Sequence, residues 1–176
     1  MGLCRGAQGR ALPEYGIKRR PPTSSSAAAL GGRLVKLAGD RDAARFSCEV
    51  SRVCAAHPTD GPSEYGEVLA WVVDAIVDVI IARLGPAGPG ERFILDLRFI
   101  DGGYVDVDDL PESGRWVLRT VSALLGGDLA NGVRSLTAAE QQFDTTMRAE
   151  TLADALIWLD FLLDVDLPDP PDVITT

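Results

Sequence analysis

The stretch Arg45-Phe46-Ser47-Cys48-Glu49-Val50-Ser51 alternates polar and apolar side chains at every position. Period two is the signature of a half-buried strand, because successive side chains of an extended chain point to opposite faces. On this reading Cys48 faces a core, and residues 34–37 form the hairpin partner across Gly39-Asp40-Arg41-Asp42. Residues 42–56 also fit a helix, since Phe46, Val50 and Val53 lie on one helical face. The strand reading sets the pattern for the rest of the chain.

Downstream, Ser63 is placed to cap a helix that runs to Leu84 and stops at Gly85. Its apolar residues occupy nearly every side, leaving Glu67, Asp74 and Asp78 as a narrow polar stripe, so it is expected at the centre of the fold. Next, Phe93, Leu95, Leu97 and Phe99 alternate with their neighbours, and Asp101-Gly102-Gly103 leads into Tyr104-Val105-Asp106-Val107, a second hairpin signal. Asp109 and Glu112 have capping-box spacing before the stripe Leu110, Val117, Val121 and Leu124. Residues 131–147 read as strands on the alternation of Gln141, Phe143, Thr145 and Met147, and as a helix start on Thr137 with Glu140. A last helix begins at Thr151, with Leu152, Leu156, Leu159 and Leu163 as its stripe.

The order hairpin, helix, hairpin, helix, hairpin, helix predicts an α+β fold, a single compact domain with an antiparallel sheet of hairpins packed against about three helices. The alternative is a mostly α-helical bundle with one β-hairpin. Trp71, Trp116 and Trp158, one on each expected helix, are expected to be mostly buried in one core. Residues 1–32 read as a basic low-complexity arm, 33–165 as the α+β domain and 166–176 as an acidic Pro-rich tail.

Length and charge narrow the function. With 176 residues, 46% of them hydrophobic, the chain can bury a real core. Its net charge of −9 opposes binding to nucleic acid through the overall field. The charge is polarised. Residues 1–33 set six Lys and Arg against the single acid Glu14, and from Ala149 onward there are seven acids and no Lys or Arg. Lys18-Arg19-Arg20 precedes only four apolar residues at 27–30, too few for the roughly 7–15 of a signal peptide. Residues 68–84 are interrupted by Asp74 and Asp78, which argues against a membrane span. The expected compartment is the cytoplasm, with no membrane partner.

Several constellations carry chemistry on paper. His57 is the sole histidine, and Cys54 three residues before it is placed to act as nucleophile to its base. Cys48, Cys54, His57 and Cys4 also make up the ligand set of some zinc sites. Cys48 on a buried strand and Cys4 in the arm weigh against both, and buried thiols are expected. Asp74 with Asp78 and Asp160 with Asp164 are i,i+4 pairs that could hold a divalent ion. Asp101, Asp106, Asp108 and Asp109 fail a calcium-loop pattern at Gly103 and Val105. No catalytic residue, cofactor or metal is expected.

The expected function is a non-catalytic acidic protein-interaction module, of the immunity, inhibitor or chaperone kind, that binds a basic protein partner through Asp106, Asp108, Asp160 and Asp164. One alternative is a homo-oligomer or larger assembly held by the N-terminal arm. Another is a small divalent-metal enzyme using the carboxylate pairs.

Overall fold

A computed structural model describes residues 2–7, 24–55, 63–88, 91–96 and 103–164. His57, the tail 166–176 and residues 97–102 of the expected second hairpin lie outside the described residues. Six α-helices build the body: α1 (Ser25–Gly39), α2 (Ala43–Ala55), α3 (Glu64–Leu84), α4 (Glu112–Leu125), α5 (Leu129–Glu140) and α6 (Thr145–Asp164). A short 3-10 turn, Val107–Asp109, precedes α4. Strand β1 (Gly2–Ala7) pairs antiparallel with β2 (Glu91–Asp96), Gly2 opposite Asp96 and Ala7 opposite Glu91.

The α+β expectation is therefore overturned: the core is all helical. Where the first hairpin was expected, α1 and α2 stand. Alternation misled because Phe46 and Val50 satisfy both periods, and burial decides between them. Val50, Val53 and Cys54 form the inner face of α2, whereas Cys48 points outward and is exposed. The third expected hairpin, residues 131–147, is most of α5 and the start of α6. In the second, residues 91–96 do extend, but the ladder partner of β2 is β1, from the start of the chain.

Helices α3 and α6 are the axis. Helix α3 runs between its Ser63 cap and Gly85, and packs against each of the other five helices. Its Tyr65, Val68, Leu69, Val72, Val73, Ile76 and Ile80 are all buried. On α6 the inner face is Arg148, Thr151, Leu152, Ala155, Leu156, Leu159 and Leu162. Helix α1 begins inside the segment read as an arm, and its Ala27, Leu30, Gly31 and Leu34 are buried at helical spacing. A Cβ at Gly31 would clash with the Trp71 ring, so the absence of a side chain there sets how closely α1 approaches α3. Trp71, Trp116 and Trp158 are each half-buried and pack on the rim of this one core rather than inside it.

Helix α4 departs from its expected start. Asp109 belongs to the 3-10 turn, and Pro111 occupies the cap position with no side-chain hydrogen bond. Helix α6 starts six residues before Thr151, where the Asp144 carboxylate accepts from the Thr146 amide at 2.8 Å.

Candidate functional site

The four carboxylates singled out in the sequence fall into two groups on different elements. Asp106 and Asp108 are exposed in the segment before α4. Asp106 caps the 3-10 turn by accepting from the Asp108 amide at 2.9 Å, and Asp108 pairs with Arg119 at 2.6 Å. Both are occupied by local structure. Asp160 and Asp164 sit in the last two turns of α6, the first half-buried and the second exposed. A Cβ at Gly39 would lie 3.1 Å from Asp160 Oδ1, which places Asp160 against the C-terminal end of α1. Asp74 is half-buried and Asp78 exposed on α3. No group of three or more His, Cys, Asp or Glu among the described residues is arranged to hold a metal ion.

Cys54 is buried, and burial pushes its thiol up to about 11, with the nearby Arg148 charge acting weakly the other way. It is a protonated thiol at neutral pH, and so no nucleophile there.

The sequence reading missed a buried polar feature. Arg148 and Tyr65 are fully enclosed between α6 and α3, with the guanidinium carbon 4.3 Å from the centre of the tyrosine ring. That is a desolvated cation over a π face. Burial also raises the pKa of the Tyr65 hydroxyl, which makes no hydrogen bond. The signal was present in the sequence: Arg148 precedes Leu152 by four and Leu156 by eight, on the buried stripe.

At the start of α3, the Glu140 carboxylate accepts from the Ser63 amide at 2.8 Å and from its hydroxyl at 3.1 Å. The last residue of α5 thus caps α3, where the dipole favours a negative charge. Gly66 makes room, since a Cβ there would lie 2.5 Å from the carboxyl carbon of Glu140. Nearby, Tyr65, Ser113, Trp116, Gln142, Met147 and Thr151 border a half-open pocket of about 170 Å³. On the turn between α5 and α6, Phe143 is 88% exposed.

The outer side of α6 is the most distinctive surface. Glu150, Asp154, Ile157, Phe161 and Asp164 follow one another at spacings of four, three, four and three, so they form a single stripe along the helix. Ile157 is 55% and Phe161 40% exposed at its middle. Half-buried Trp158 meets Phe161 edge to face at 6.3 Å, and Asp160 flanks Asp164. Asp154 accepts from Ser113 at 2.6 Å, which fixes one end of the stripe to α4. Arg148 is the only basic residue of α6, and it points inward.

No protein-family model, no curated protein and no solved structure matches the chain. No helix among the described residues is long and apolar enough to cross a membrane.

Proposed function

We propose that the chain is a non-catalytic acidic protein-interaction module that binds a basic protein partner in the cytoplasm. The observation that carries this reading is the outer side of α6, where exposed Ile157 and Phe161 lie between carboxylates with no basic side chain on the same face. Exposed large apolar side chains grouped on one helix are the usual mark of a surface that another molecule covers. Carboxylates around them select a basic partner and speed its approach. The local pairing of Asp106 and Asp108 makes them weaker candidates than Asp160 and Asp164.

The test is affinity capture from the source cells with the full chain and with an Ile157→Ser, Phe161→Ser variant. A basic protein should be held by the first, lost by the second and released by salt. If no basic protein distinguishes the two, the reading fails. A homomeric assembly is the second reading, favoured by Phe143 standing exposed beside the pocket. Sedimentation of the purified chain separates it from the first.

A further inference from the structure

We infer that the occupant of the outer α6 stripe is a basic amphipathic α-helix of the partner, laid along α6. This rests on the interaction-module reading and specifies the shape and chemistry of what binds.

The spacing argues for a helix. These residues keep one narrow, straight face along α6, and a partner helix laid alongside can meet such a face turn by turn over its whole length. Glu150 to Asp164 covers 14 steps, or about 21 Å at 1.5 Å per residue, enough to seat some four turns of a partner. The apolar contact is confined to the middle, at Ile157 and Phe161 with the edge of Trp158 beside them. The partner therefore needs two apolar side chains one turn apart, not a long apolar stripe.

Charge complementarity fixes the rest. Carboxylates surround the apolar centre: exposed Glu150 and half-buried Asp154 toward one end, exposed Asp164 toward the other, and half-buried Asp160 beside Phe161. Several basic groups on the neighbouring elements are already engaged. Lys36 pairs with Asp40 on α1, Arg83 of α3 donates to the Leu163 carbonyl at 2.9 Å, and Arg115 and Arg119 of α4 both reach Asp108. A partner helix carrying Lys or Arg about one turn beyond its apolar pair at one end and one to two turns beyond it at the other would match this stripe in both sign and position.

Two synthetic peptides of identical composition, built from Leu, Lys and Ala, test the inference. In one the Leu residues recur at three and four. In the other they are scattered around the helix. Each is labelled and titrated with the full chain at low and at physiological salt, reading fluorescence anisotropy and peptide helicity. The patterned peptide should bind at least tenfold more tightly than its isomer and gain helicity on binding. Ile157→Ser with Phe161→Ser should erase that preference, and Asp160→Asn with Asp164→Asn should slow association at low salt.

Equal, salt-dependent binding of the two peptides would overturn the helix and leave the acidic-module reading standing. Failure of either peptide to bind at low salt would sink both. Self-association of the chain that the Ile157, Phe161 double variant abolishes would show that a second copy is the occupant, and would equally overturn the inference.

Discussion

Helices α3 and α6 are both rich in apolar side chains, yet these end in different environments. Around α3 the other five helices cover most of the surface, and its Val68, Leu69, Val72 and Val73 are not exposed at all, which leaves Asp78 and Ala82 on a narrow open strip. Around α6 they close on one side. Leu152, Leu156 and Leu159 are buried while Ile157 and Phe161, one residue or two away, reach solvent. Similar composition therefore has two meanings. In α3 the surplus of apolar side chains is what makes it a central helix. In α6 the outer pair Ile157 and Phe161 is only partly covered, so it contributes far less to the core than its apolar area would allow.

Neighbouring positions on α6 give the sharpest way to break that contrast. Leu156→Ala should destabilise the fold by about 2–5 kcal/mol, because a fully enclosed side chain leaves a cavity behind. Ile157→Ser, one residue on, should change stability by no more than about 0.5 kcal/mol. Denaturant titration of both variants measures the difference. If Ile157→Ser costs as much as Leu156→Ala, the outer side is part of the core and the proposed interface is wrong.

The same contrast explains what the sequence made legible. Helix α3 was readable because Ser63 and Gly85 mark its ends and no competing period interrupts it. Helix α2 was not, since Phe46 and Val50 serve both periods and counting Cys48 as a core residue tipped the choice toward a strand. Helix α6 was placed six residues late because the alternation of Gln141, Phe143, Thr145 and Met147 read as a strand running into its first turn. The pairing of β1 with β2 joins segments remote in sequence, which no local pattern carries. Of the candidate surface, the Asp160 and Asp164 pair was visible as an i,i+4 spacing. The exposure of Ile157 and Phe161 was not, because which apolar side chains of a helix with apolar residues on several sides stay open depends on its neighbours.

A second test concerns how tightly α3 is enclosed. Gly31→Ala drives a methyl into the Trp71 ring, and α1 must move away from α3. The expected cost is about 1–3 kcal/mol, with a shift in tryptophan fluorescence. An unchanged melting temperature would show that α1 is looser than its packing implies. Deletion of residues 1–32 belongs to the same test. It removes buried Ala27, Leu30 and Gly31 and should destabilise the fold, whereas deletion of residues 1–23 spares α1.

Alkaline pH probes the enclosed side through Cys54. The folded state holds this thiol near 11, above its ordinary 9.0, so the native protein retains a proton that the unfolded chain has released. Stability from this source is whole below pH 9 and is lost as pH rises from 9 to 11, by on the order of 2 kcal/mol. The raised Tyr65 hydroxyl acts in the same direction at higher pH. Cys54→Ala should flatten the first part of the decline. A variant that loses stability as steeply as the parent between pH 9 and 11 would place the thiol in contact with water.

The smallest expected effects distinguish the two groups of surface carboxylates. Asp108 and Arg119 form an exposed pair, with side chains 71% and 65% accessible, so a double-mutant cycle should find a coupling of only about 0.2–1 kcal/mol. Its consequence for binding should also be small. Asp108→Asn removes a charge that Arg119 already balances, while Asp164→Asn removes one on a face whose helix presents no basic side chain outward. At low ionic strength the cationic patterned peptide should therefore associate more slowly with the Asp164 variant than with the Asp108 variant, and raising salt to shorten the Debye length to about 8 Å should shrink the gap. The difference between the variants matters more than either value, since each loses one unit of net charge. Equal slowing by both would mean that the peptide responds to the total charge of the chain, and that α6 holds no privileged place on its surface.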